Sequence, residues 1–466
     1  MTRNGLTRRR MGGLTSGASI AALLSACATG GGSSGAPKDL KAVKGQVIWQ
    51  TRGNEVERTG QDQVMIPLFK EVAPNIEIVK AEIAGGSGPY NDKLLADFAA
   101  GSPPDLFGFG MNYFGYWVRG MVADLNPLIA RDKFDLNQFL PGLTDKFKIK
   151  GKQYGLPQLT TFGTLLFYNK ALFDQAGLKY PPVDWDDKAW TTERLLENAQ
   201  KMTKNPGQSE AVYGLNMGGS RPEMPVWIFG GDPFLKEHYD VGVAPTTRID
   251  SAESMAAHEF LQDLRWKYYT NAQTGKDSTT GISFTSGRYG MEVAGGWNFW
   301  SWTTIKDFKW AAAAIPYKVT NKNTAYNDFW EMSAQSKSKD ATWEFMKHLV
   351  NPETQKKYTE ITGTPPTTKA AIDTWYKRYE GTSLAMTRAE LEKVTQGAID
   401  PKRSVESPDH THIDYYRYNP EYNTNIYTPI IRNEGKPREV IDRFKGAFNG
   451  LIKDIYDTYK DRVAKA

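Results

Sequence analysis

Residues 46–109 read QVIWQTRGNEVERTGQDQVMIPLFKEVAPNIEIVKAEIAGGSGPYNDKLLADFAAGSPPDLFGF, and this stretch decides the fold class. The apolar run 46–50 is strand-like and closes in a polar loop, Thr51-Arg52-Gly53-Asn54. Over 61–72, Val64, Leu68, Phe69 and Val72 fall on one helical face, and Pro74-Asn75 stops that helix before a second strand at 76–81. After Gly85-Gly86-Ser87-Gly88, the residues Leu94, Leu95 and Phe98 mark another helix, ended by Gly101; Pro104-Asp105 then introduces a short strand at 106–109. Strands alternating with amphipathic helices predict an α/β protein with a parallel sheet covered on both faces, and such sheets gather ligands at the carboxyl ends of their strands. Residues 52–55 and 109–113 sit at two such ends. The Gly85 to Gly88 run lacks the Gly-Lys-Ser/Thr ending of a phosphate loop and reads as a plain loop.

A chain of 466 residues can bury more than one core, so two or three domains are expected. Hydrophobic residues at 40% and charged residues at 24% argue against disorder, a collagen-like repeat or a multispan membrane protein. Aromatic residues reach 12%, and flat apolar faces with polar tips serve amphipathic ligands as well as cores. The formal charge of +5 belongs mostly to the first 26 residues, which hold Arg3, Arg8, Arg9 and Arg10 and no acid; taking 4 from 58 bases leaves 54 against 53 acids. A nearly neutral remainder argues against a nucleic-acid partner.

The basic start is followed by a weakly apolar stretch, 11–26, and then by the single cysteine, Cys27. This is the layout of a secretory leader, too short and too rich in Gly and Ser for a bilayer span. Leu24-Ser25-Ala26-Cys27 resembles the lipobox of bacterial lipoproteins, which implies cleavage before Cys27 and lipid on its thiol. Thr7-Arg8-Arg9-Arg10-Met11 suits a twin-arginine signal and an ordinary basic leader equally. The run 28–37 is a Gly/Ser tether spanning roughly 15–20 Å as a coil. Residues 1–26 are thus read as a lipoprotein signal peptide and 27–45 as a lipid-anchored flexible tether. The expected product is exported and sits on the outer face of the cell membrane or in the periplasm.

Further along, Gly151-Lys152-Gln153-Tyr154-Gly155-Leu156-Pro157 leads into a strand ending Tyr168-Asn169-Lys170, then Leu172-Phe173, Ala176-Gly177-Leu178 and Pro181-Pro182 up to Trp185. Phe284, Gly287, Met291, Gly295, Gly296 and Trp297 form an F-x-x-G-x-x-x-M-x-x-x-G-x-W pattern. The stretch 341–349 is followed by Asn351-Pro352-Glu353-Thr354-Gln355 and Gly363-Thr364-Pro365-Pro366. In this order the motifs resemble the extracellular solute-binding proteins of ABC importers, family 1, the carbohydrate-binding group that includes maltose-binding protein. The resemblance implies a two-lobe, class II periplasmic-binding-protein-like α/β fold with a hinge between lobes. It places 46–157 plus about 310–351 in lobe 1 and about 158–309 plus 352–466 in lobe 2. It also implies ABC permease transmembrane subunits as partners, a monomer, no cofactor and no catalysis. The Tyr- and Asn-rich region 376–423 does not align with the family.

A carbohydrate site needs aromatic platforms flanked by polar side chains. Candidates are Arg52, Asn54 and Glu55 after the first strand; Phe109, Asn112 and Tyr113 in FGMNYFGYW, where the resemblance places sugar-stacking and polar contacts; Thr161 and Phe162 at the first hinge that the resemblance implies; and Trp297 and Asn298 after the paired glycines. By resemblance, Trp227 and Asp232 add a fourth group. For each aromatic, core packing is the competing role. Trp343 and Trp266 lie on helix-like segments and read as core. His410 and His412 form an H-x-H pair without a third ligand at defined spacing, so a solvated loop is expected rather than a metal site. The sequence has no H-E-x-x-H or Walker A motif, and its G-x-S-x-G match, Gly31 to Gly35, falls within the Gly/Ser tether. Two other functions share these features: the same fold holding a non-sugar solute, and a lipid-anchored glycosidase using paired carboxylates. The leader yields one prediction: Cys27→Ser should release the protein from membranes into the soluble fraction, and mass spectrometry of the native product should find lipid on Cys27 and none of residues 1–26.

Overall fold

The computed structural model describes residues 39–108, 111–217, 223–277 and 281–465; the leader and Cys27 fall outside them. Its strands are β1 (Gly45–Arg52), β2 (Ile76–Ile83), β3 (Leu106–Phe107), a small hairpin of β4 (Lys148–Ile149) and β5 (Lys152–Gln153), β6 (Leu156–Thr160), β7 (Thr164–Asn169), β8 (Tyr213–Asn216), β9 (Tyr289–Gly295), β10 (Trp310–Ala313), β11 (Asn323–Ala325), β12 (Asn327–Met332) and β13 (Ser404–Glu406). The helix expected over 61–72 begins six residues earlier, at Glu55. Asn54 caps it, accepting the Glu57 N–H at 2.9 Å. It widens into one π turn, Gln61–Met65, just before Pro67, which has no N–H to donate to the preceding turn.

Two sheets organise the chain. The first runs β2-β1-β3-β12-β6 and the second β10-β7-β9-β8. β1 is parallel to β2 and β3, as alternation with helices requires, but β12 is antiparallel to both β3 and β6. In the second sheet only β8 and β9 run parallel. Both sheets are therefore mixed, not parallel throughout. The late strands return from the other half of the chain and enter in the opposite sense.

Two stretches depart from the expected lobe boundaries. Trp310–Ala313 pairs with Thr164–Asn169 and so belongs to the second sheet. The helix Pro352–Thr362 packs instead on the first-sheet side, where the Tyr358 ring fills the space over Gly60. The Thr367 hydroxyl, just beyond it, donates to the Pro157 carbonyl at 3.0 Å.

One core packs Trp49 edge-on against Trp330 (5.4 Å) and Phe345 (5.1 Å) behind the first sheet. A larger one continues through the second sheet, where Phe167 meets Trp302 at 5.0 Å and Phe299 at 5.3 Å. Burying aromatics of this size contributes about 1.5–3 kcal/mol each, which is why neither half needs a disulfide.

The chain passes from β6 to β7 through Thr161-Phe162-Gly163, where Phe162 (φ 58°) and Gly163 (φ 67°) are left-handed. Here three passages meet. The Thr161 N–H and hydroxyl both donate to the Tyr326 carbonyl, at 3.3 and 3.2 Å, and the Gly296 N–H donates to the Gly163 carbonyl at 2.7 Å. A Cβ on Gly296 would lie 1.6 Å from the Thr161 carbonyl oxygen. Gly296→Ala should therefore push β9 away from the crossover and cost about 1–3 kcal/mol, read as a lower denaturant midpoint; an unchanged midpoint would mean that this approach is not held in solution.

Candidate functional site

Where the carboxyl end of β9 meets the crossover there is a cavity of about 400 Å³. Its aromatic walls come in two pairs. Trp297 stands edge-on to Tyr326, ring centroids 5.1 Å apart, and Phe284 stacks on Trp302 at 4.6 Å. Gly295 explains the first pair: the indole folds back over it, so close that an added Cβ would sit 2.0 Å from the Trp297 ring. Trp297 stays 39% exposed, the one tryptophan among the exposed large apolar residues of the described chain. Polar groups between the rings are Asn298, Thr164, Thr324, Ser283 and Thr285. Among the described residues the one ionisable carboxyl on the wall is Glu292, whose pKa burial pushes up to about 7 against a hydrogen bond from Asn216.

Of the residues expected at the site, Trp297 and Asn298 line this cavity. The rest have other work. Arg52 donates to Glu57 at 2.9 Å and to Asp328 at 2.7 Å; burial opposes its charge, but these two carboxylates outweigh it and hold its pKa above the ordinary value. Asn54 is a helix cap and Glu55 an exposed first-turn acid, both away from the cavity. Asn112 is buried and left-handed (φ 59°), its amide donating to Asn91 at 3.1 Å. Tyr113 is fully buried, its ring 4.6 Å from Phe147 and its hydroxyl 3.3 Å from His410 Nδ1. Thr161 ties the crossover to Tyr326, as described, and Phe162 is core, 4.8 Å from Trp375. Trp227 is core as well, 1% exposed. Asp232 accepts the Phe234 N–H and the Tyr239 hydroxyl, each at 3.0 Å, and burial raises its pKa. Phe109 lies outside the described residues.

The H-x-H pair is buried, not a solvated loop, because the short helix Pro408–Thr411 packs against the helices Tyr113–Val118 and Lys236–Asp240. His410 Nδ1 lies 2.5 Å from Glu406, whose other oxygen accepts the Asn327 amide at 2.8 Å. Burial lowers the His410 pKa, yet Asp409 and Glu406 overcome this and hold it above the ordinary value. His412 bonds Tyr418 and faces His238 at 4.9 Å. Burial pushes both of these rings down, His238 to about 4. Among the described residues no group of three or more His, Cys, Asp or Glu could hold a metal ion, and no helix is long and apolar enough to cross a membrane.

Tyr326, Thr324 and Glu292 are among the cavity residues that sequence reasoning missed. The first two lie in a return segment without periodicity. Glu292 left a signal, a lone charge inside the apolar strand YGMEVAG.

The sequence profile of a family described as bacterial extracellular solute-binding protein matches residues 65–382. A binding protein of Brucella abortus is 25% identical over 289 residues, covering 59% of this chain and 66% of its own length, so the chain matches just under two thirds of that relative. The sn-glycerol-3-phosphate-binding periplasmic protein of Escherichia coli is 24% identical over 368 residues, 73% of this chain and 78% of that one. Among solved structures, an ABC substrate-binding protein from Listeria monocytogenes in complex with cycloalternan superposes with a TM-score of 0.71 at 21% identity, covering 88% of this chain and 99% of the other. That likeness establishes the two-lobe binding-protein fold.

Two outcomes follow from the geometry. Trp297→Ala should weaken solute binding at least about tenfold while the solute-free melting temperature moves by only a few degrees, whereas Trp227→Ala, which empties core, should cost about 3–5 kcal/mol of stability. Calorimetric titration beside thermal melts of both variants checks this. His238 is neutral in the folded protein down to about pH 4 and titrates near 6.5 when unfolded. The stability it contributes is present above about pH 6.5 and is lost as pH falls toward about 4. His238→Phe should therefore flatten the fall in denaturant midpoint between pH 6.5 and 4.5.

Proposed function

Because the chain belongs to the bacterial extracellular solute-binding proteins, we propose that it captures a sugar or oligosaccharide in the cavity beneath Trp297 and hands it to the transmembrane subunits of an ABC importer. The observation that carries this reading is the half-exposed Trp297 indole over a cavity of about 400 Å³. A pyranose presents a C–H face that such a ring covers well, and Asn298, Thr164 and Thr324 supply partners for its hydroxyls. The sugar-complexed Listeria neighbour supports the same reading. A glycerol phosphate, the solute in the name of the E. coli relative, calls for cationic partners. No lysine or arginine lines the cavity among the described residues.

The two sheet layers close over the solute, with Phe162-Gly163 and the segment between β10 and β12 as the chain crossings that restrict the motion to a hinge. Closure, not bond cleavage, is the function. The protein is exported, anchored to the membrane through acylated Cys27, and works as a monomer. A thermal-shift screen of the mature chain over a sugar panel, with sn-glycerol-3-phosphate as the contrast, tests this. A sugar at about 100 times its Kd should stabilise by about 2.7 kcal/mol, and oligosaccharides should be recovered uncut by chromatography. Stabilisation by sn-glycerol-3-phosphate alone, or cleaved product, would overturn the reading.

A further inference from the structure

The charge pattern of the cavity says more about its solute than its aromatic walls do. Glu292 sits in β9 opposite Asn216 of β8, whose side chain hydrogen-bonds it, and among the described residues no cation contributes to its titration. Among the described residues lining the cavity there is no lysine, arginine or histidine. The other ionisable group that feels Glu292 is the Tyr289 phenol, which burial pushes up to about 12 and so keeps neutral. The cavity that Glu292 lines is walled by Trp297, Tyr326, Phe284 and Trp302.

When a solute fills the cavity, Glu292 loses what water it has. The hydroxyls of a neutral sugar can donate to the carboxylate but cannot balance its charge, so enclosure by such a solute favours the protonated acid. An ammonium group does balance it, through a charge-assisted hydrogen bond, and aromatic walls favour a cation in the same space. We propose that the solute is an amine-bearing sugar, bound with its protonated amino group against the Glu292 carboxylate in the aromatic-walled cavity. This inference rests on the sugar-binding reading above and adds a charge to it. It has a thermodynamic signature. Since burial raises the Glu292 pKa to about 7, binding an ammonium at pH 7 ionises the protonated fraction and releases protons from Glu292, offset by the smaller uptake of the fraction of solute amine that is neutral at that pH, whereas a neutral sugar draws protons in.

The test is calorimetric titration of the mature chain at pH 7, in two buffers of different ionisation enthalpy. The probes are glucose, galactose and mannose and their β-1,4-linked dimers, each in hydroxyl, 2-amino and 2-acetamido form. The amino form of the best-bound sugar should bind at least about tenfold more tightly than its hydroxyl and acetamido counterparts, with proton release, and Glu292→Gln should bring the ratio of amino to hydroxyl affinity to within about twofold. If a hydroxyl or acetamido form binds as tightly as its amino form in the native protein, or Glu292→Gln leaves the ratio unchanged, the amine inference falls while sugar binding stands. If no probe in the panel binds, the sugar reading falls and takes this inference with it.

Discussion

The structure turns on the contact between Gly296 and the crossover. The Thr161 carbonyl oxygen occupies the place where a side chain on residue 296 would begin, and the Gly296 N–H is bonded to Gly163 at 2.7 Å. That contact fixes the end of β9 against the link from the first sheet to the second. The Tyr326 carbonyl, bonded to Thr161, brings the return link to the same point. Trp297 and Tyr326 therefore face each other because their backbones are pinned to a common neighbour. The cavity walls come from four separate parts of the chain, and the spacing of Trp297 and Tyr326 depends on one glycine.

Elements built from short-range pattern were legible in the sequence. β1, β2 and the helix Ser87–Ala99 lie where apolar periodicity and Pro or Gly stops put them, since alternation, helical spacing and backbone breakers are local properties. Strand sense and sheet membership were not, because they depend on where a returning strand enters. Trp310–Ala313 reads the same whether it pairs in one sheet or the other, and only its register with Thr164–Asn169 settles the matter.

At the site the division is the same. Trp297 was legible because the paired glycines before it signal close approach. Trp227 and Phe162 have the same composition but turn inward, 1% exposed each, and no local feature distinguishes an indole facing a cavity from one facing a core. Arg52 stands at the end of β1 as expected, yet Asp328, 276 residues away along the chain, takes up its guanidinium. His410 and His412 looked exposed because their flanks are polar. Glu406 and Tyr113 bond His410, and Tyr418 bonds one nitrogen of His412, in the interior instead.

The central claim is that the solute lies beneath Trp297, between the end of β9 and the Tyr326 link. A crystal structure of the mature chain with a sugar that stabilises it tests this most directly. A sugar ring should lie against the Trp297 indole, with a substituent within hydrogen-bonding distance of Glu292 and no solute at Arg52 or Asn54. Solute density around residues 52–55 with the cavity beneath Trp297 empty would contradict it.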